Sequence, residues 1–267
     1  MFPLPRTTLP VSASDLADAI ESALREVIEH PSPFVTVTAP EFPAISALSV
    51  DLSGARIAEI PPRPPSLSGI EESAYVVEKW HVGGSNIDLL GASTDLALDA
   101  EDLELSAARD TAGNIVLVLK SASSGQLRLG MAKTGLEALL QTIGRKEAAK
   151  HGVNLESVNI DWTSRGARSV DAFVTVRARK FFMSAAVKIS GSLDVDEYLT
   201  VRLSALRCSG DGALAGIACN ALTPQLEKLN GREFSLRALP IGELAIRDLE
   251  IAATDRLEIR AKFGAAA

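Results

Sequence analysis

The sequence predicts an α+β fold in which long amphipathic helices are wrapped by a highly curved antiparallel β-sheet, and three observations carry that expectation. A capped helical stripe followed by a train of alternating strands occurs twice. Short polar turn signals separate neighbouring strands, as in a meander of hairpins. Along the strands apolar and charged residues alternate, so each strand is wet outside and has a dry face that something must cover. Helices are the available cover.

The first helix spans Ser14 to His30, where Leu16, Ile20, Ala23, Leu24, Val27 and Ile28 recur at helical spacing and Pro31 forbids continuation. The second, Thr134 to Lys150, opens on a Thr134/Glu137 capping box and carries Leu136, Leu139, Leu140 and Ile143 as its stripe. A third, Ala213 to Leu229, keeps the period through Ile217 and Leu222 with a kink at Pro224. Before the second helix, strands are expected over 34–38, 47–60, 74–82, 87–98, 103–109, 115–121 and 126–131. After it they are expected over 157–162, 170–179, 185–193, 199–207, 244–253 and 257–263. The internal division falls near Ser123, giving units 1–122 and 123–267 or one continuous elongated domain.

The 267 residues are 46% hydrophobic but only 4% aromatic, so aliphatic side chains must fill the core. No apolar run approaches the roughly 20 residues that cross a bilayer, and Met1 to Pro10 lacks the charged and apolar regions of a secretory signal. The expected protein is soluble and cytoplasmic. A formal charge of −7 with scattered lysines and arginines argues against nucleic acid as a partner. Arg177, Arg179 and Lys180 read as the solvent side of a strand. Cys208 and Cys219 could pair in an oxidising compartment, but two cysteines make neither a disulfide framework nor a zinc site, and free, buried thiols are expected.

Catalytic and metal motifs are weak. Gly210, Gly212 and Gly216 miss the dinucleotide spacing by one residue and read as a tight turn with close helix packing. Asp99, Glu101, Asp102 and Glu104, and again Asp194, Asp196 and Glu197, read as solvated turn charges rather than a cation site. His30 and His151 fall at predicted helix C-termini, where the macrodipole favours them. His81 beside Trp80 reads as a structural or surface histidine, the alternative being a base, for which no recognisable nucleophile accompanies it. No metal, cofactor or catalytic residue is expected. Phe181, Phe182 and Met183 form the densest cluster of large apolar residues, at a hairpin tip that either touches a membrane or pocket mouth or is buried under a helix.

The entry Gly125-Gln126-Leu127-Arg128-Leu129 leads into a helix and then a strand with Val158, Ile160 and Trp162. Strands around Val174, Val187, Gly191 and Leu203 follow, then a helix and Leu239-Pro240-Ile241-Gly242 before two closing strands. In these features the second half resembles the bacterial LmeA-like phospholipid-binding family, related to the tubular lipid-binding (TULIP-like) superfamily that includes the bactericidal permeability-increasing protein. The resemblance implies a long helix cradled by a curved antiparallel sheet, acyl chains between them, no catalytic residues, and work outside the cytoplasm or beside an envelope.

The function expected is therefore non-enzymatic binding or carriage of a lipid or similar hydrophobic molecule. The groove would be lined by Leu136, Leu139, Leu140 and Ile143, by Val174, Val176, Val187, Ile189, Val201 and Leu203, and by Ile217 and Leu222. The same stripes would equally fill a solid core. The alternatives are an interaction module pairing through exposed strand edges and an enzyme using His81 on an apolar substrate.

Overall fold

A computed structural model describes residues 1–58, 65–150, 152–180, 183–238 and 244–265. Of these, 59% are strand and 19% helix, which overturns the expected architecture of long helices wrapped by a curved sheet. The chain begins with β1 (Phe2–Pro3), α1 (Ala13–Arg25), β2 (Val35–Thr38), β3 (Ala44–Asp51) and β4 (Arg56–Ile57). It continues through β5 (Leu67–Leu89), β6 (Ala92–Asp110), β7 (Ile115–Ser121) and β8 (Ser124–Ala132). Next come α2 (Lys133–Ala149), β9 (Asn154–Gly166), β10 (Ser169–Lys180), β11 (Met183–Val195) and β12 (Thr200–Asp211). The remaining elements are α3 (Ala213–Leu229), β13 (Glu233–Ser235), β14 (Leu244–Ala253) and β15 (Arg256–Ala265).

A ten-stranded sheet follows the path β14-β15-β8-β6-β5-β3-β2, with β4 on β5 and β1 on β7. It is mixed: β3 and β4 run parallel to β5, and its other pairs are antiparallel. β6 forks along one edge, pairing β8 from Thr94 to Glu101 and β7 from Glu104 to Arg109. The five-stranded antiparallel sheet, β13-β12-β11-β10-β9, is inserted between β8 and β14 of the first.

Two misread strands account for most of the difference. β5 is 23 residues long and β6 is 19, whereas Asp99 to Glu104 read as a turn and residues 83–86 fell between two expected strands. The acidic cluster instead lies within β6, and the hairpin turn is at Leu90-Gly91, both at positive φ, inside a predicted strand. Long strands kept continuous by bulges build a wide sheet rather than a meander around a helix.

The helices also differ in what they bury. Ser12, not Ser14, caps α1 by accepting from the Asp15 amide at 3.2 Å, and Leu16, Ala19 and Ile20 are buried. The expected capping box on α2 does not form: its N-cap is Ala132, and Glu137 accepts instead from the Ile160 amide of β9 at 2.8 Å. α2 buries no residue. α3 packs on β11 and β12, where Gly210 allows close approach: a Cβ there would lie 2.5 Å from Ala186 O and 2.8 Å from the Ala215 side chain. Cys208 and Cys219 form a disulfide joining β12 to α3, correcting the expectation of free thiols. A strand that turns straight into a helix lying back on it brings the two together, with Cα atoms 5.4 Å apart.

The main core lies under α1, between β2, β3, β5, β6 and β7, with Leu4, Leu16, Ile45, Val77 and Leu103 almost fully enclosed. A smaller core around Val195, Leu199, Leu249 and Ala261 lies where the two sheets meet. Polar contacts tie that junction: Arg168 of the β9–β10 turn donates to Asp248 at 2.6 Å and to Leu249 O at 3.0 Å, and Trp162 donates to Thr254 O. No described helix is long and apolar enough to cross a membrane.

Candidate functional site

An apolar pocket of about 360 Å³ opens within the main core. Ile20 and Leu24 of α1 form one wall, Leu48 and Val50 of β3 with the following Leu52 another, and Trp80 and Val82 of β5 a third. Leu98, Leu103 and Leu105 of β6 and Leu117 and Leu119 of β7 complete the lining, with Met1 and Phe2 at its N-terminal side. The Trp80 indole N–H is the one polar side-chain group among them, and no described residue bonds it. Six lining residues, Ile20, Leu48, Val50, Leu52, Leu103 and Leu117, are buried, whereas Met1 is 59% exposed.

Local backbone irregularities make this lining possible. In β6 the even-numbered Leu96, Leu98 and Ala100 face the core, and after Asp102 the odd-numbered Leu103, Leu105 and Ala107 do. Asp102 sits at φ +50°, a left-handed conformation that Asp tolerates better than most residues. That single step reverses the alternation of the strand and keeps Asp102 and Glu104 at the surface. β5 slips in concert. Tyr75 and Val77 are buried, then Trp80 and Val82 face the pocket, leaving Lys79 and His81 exposed. Gly84 brings Leu52 in: a Cβ there would stand 2.5 Å from the Leu52 carbonyl carbon, and the Leu52 amide donates to Gly83 O at 2.7 Å.

Polar groups outside the lining fix α1 over it. Burial opposes ionisation of Glu21, but Arg25 at 2.6 Å and the amides of Phe34 and Val35 outweigh it and hold the carboxyl below its usual range. Glu21 thus joins the helix to β2. Tyr75 donates to Pro10 O at 3.0 Å, and burial pushes its phenol up to about 12, so it remains a donor at neutral pH.

The predicted lining lies elsewhere. On α2, Leu136, Leu139 and Leu140 are half-buried and Ile143 is exposed. Val174 and Val176 of β10 pair with Ile189 and Val187 of β11, forming one apolar patch on the second sheet. Val201 packs on the smaller core, Leu203 is half-buried on β12, Leu222 is half-buried on α3, and Ile217 is 66% exposed. None of these lines the apolar pocket. Phe181 and Phe182, with His151 and Leu239 to Gly242, lie outside the described residues, and Met183 is described only as the first residue of β11. The first helix's stripe, which supplies Ile20 and Leu24, was not among the expected lining, and the strand residues around it were obscured by the slips.

His81 Nδ1 donates to Asp99 at 2.7 Å on the exposed face, while the nearby Ser124 hydroxyl donates to Glu101 at 3.2 Å. His30 lies beyond the end of α1 with its ring tilted against Phe34, and it bonds Ser32 O at 2.8 Å and Ser53 O at 3.2 Å. No group of three or more metal-ligating side chains occurs among the described residues. No protein-family model, curated protein or solved structure matches this chain.

Proposed function

We propose that the protein binds a small hydrophobic molecule, such as a single alkyl chain, in the pocket between α1 and the large sheet, without chemical change to it. One observation carries this reading: about 360 Å³ of space lined by aliphatic and aromatic side chains. An apolar cavity of even ~150 Å³ stays dry and takes up hydrocarbon. About ten buried methylenes gain about 8 kcal/mol, which places the affinity at micromolar at best once immobilisation is charged against it.

The test is displacement of a fluorescent fatty-acid analogue by decanoate and by decanol. Both should compete, and Leu119→Arg, which puts a cation into the lining, should weaken binding by at least about tenfold. Unchanged affinity in that variant, with the fold intact by circular dichroism, would overturn the assignment.

A further inference from the structure

A second depression of about 660 Å³ spans β5, β6, β8, β14 and β15, with Trp80, Ala100 and Phe263 contributing to its lining beside the polar residues. Cross-strand register sets its polar side chains in two rows. His81, Asp99, Gln126 and Lys262 are successive partners in one row, and Lys79, Glu101 and Ser124 in the next.

Most acceptors in these rows are engaged. Asp99 uses one oxygen for His81 at 2.7 Å and the other for the Gln126 amide at 3.3 Å, and Glu101 accepts from Ser124. The donors are not. Lys79 is exposed and has no partner among the described residues. Lys262 comes only within 3.8 Å of Asp248, whose carboxylate is already held by Arg168 at 2.6 Å. Arg247 uses one N–H for Ala265 O at 2.9 Å, and the rest of its fork has no partner among the described residues. Three permanent cations therefore share the depression with two carboxylates, Asp99 and Glu101, in a chain whose formal charge is −7.

We propose that this depression binds an oxyanion, the phosphate or carboxylate of a small molecule. An oxyanion supplies acceptors and no compulsory donor, which matches spare capacity dominated by the N–H groups of Lys79, Lys262 and Arg247. Lysine offers a mobile point charge and arginine a planar fork, the two usual partners of such groups. The charged residues it uses, Lys79, Lys262 and Arg247, are absent from the lining of the apolar pocket, although Trp80 borders both.

The experiment titrates the intact ¹⁵N-labelled chain at fixed ionic strength with inorganic phosphate, acetate and dihexanoyl phosphatidate, a lipid short enough to stay monomeric. Saturable shifts confined to amides of residues 79–81, 99–101, 124–126 and 262–264 are expected. Lys79→Gln with Lys262→Gln should weaken binding by at least about tenfold, the factor of one charge-assisted hydrogen bond. Lys79→Gln alone, at an exposed unpartnered side chain, should give a smaller loss in the same direction with the fold undisturbed. Arg177→Gln, on the second sheet, should change nothing. Phosphatidate binding more tightly than phosphate identifies a lipid headgroup as the source, and equal affinity identifies a free oxyanion. Shifts that rise linearly without saturating, or that fall equally in the Arg177 and Lys79 variants, would overturn the proposal.

Discussion

Replacing Asp102 by valine should destabilise the protein by about 2–3 kcal/mol, and the structure supplies the terms. Asp102 holds φ at +50°, where an L-residue costs about 1–2 kcal/mol and a β-branched one stands at the unfavourable end. Its carboxylate also accepts from the Ser123 hydroxyl at 2.9 Å, an exposed bond worth about 0.5 kcal/mol. Glycine at the same position loses the hydrogen bond but adopts the conformation freely, so Asp102→Gly should stay within about 0.5 kcal/mol of the parent. Urea unfolding at equilibrium reads both variants on one scale. The same samples should separate in the fatty-acid displacement assay: if valine pulls residue 102 back into extended geometry, Leu103 and Leu105 turn out of the pocket and Glu104 turns in. Equal stability of the valine and glycine variants would refute the idea that a left-handed residue 102 sets the strand's phase.

Two further outcomes are expected. Cys208→Ser with Cys219→Ser opens a loop with a sequence separation of 11 residues and should cost about 3 kcal/mol on the loop-entropy account, with the parent in dithiothreitol falling to the same urea midpoint. Arg256 at 2.7 Å and the Asn86 amide hold the Asp95 carboxyl below its usual range, as Arg6 at 2.6 Å and the Val11 amide do for Asp15. Because these folded values lie below the unfolded ones, their contribution is fully present above about pH 4 and is lost as pH falls through the folded values. Arg256→Gln should therefore flatten the acid limb of a melting-temperature profile, leaving a smaller difference from the parent at the lowest pH than at neutral pH.

How much of this was legible in the sequence depended on whether a local signal also governed the packing. The first helix was legible because its stripe and its burial coincide: Leu16 and Ile20 are both periodic and enclosed. The second helix was placed within a residue at each end, yet it packs mainly on the edge strand β9, with lesser contact to β6 and β8, and buries no residue, so periodicity gave the element without its role. The large sheet was obscured for a definite reason. An aspartate at the centre of β6 looks like a turn to any rule based on polarity, and only its backbone conformation shows that it changes the strand's facing rather than its direction. The pocket inherits that difficulty, since Leu98 and Leu103 lie on opposite faces of any regular strand. The parallel pairing of β3 with β5 carries no local mark at all.

The nesting of one sheet inside the other bears on the order in which the molecule can be assembled. β8 waits for its neighbour β15 until every strand of the inserted sheet has been synthesised, and Leu244, from the hairpin that closes this gap, contributes to the main core. During that interval β8 presents an unsatisfied row of amides and carbonyls, an invitation to foreign strands. Rapid, independent collapse of the inserted sheet would shorten the window by drawing β14 toward its docking place, since Arg168, on the turn between β9 and β10, is the residue that grips it.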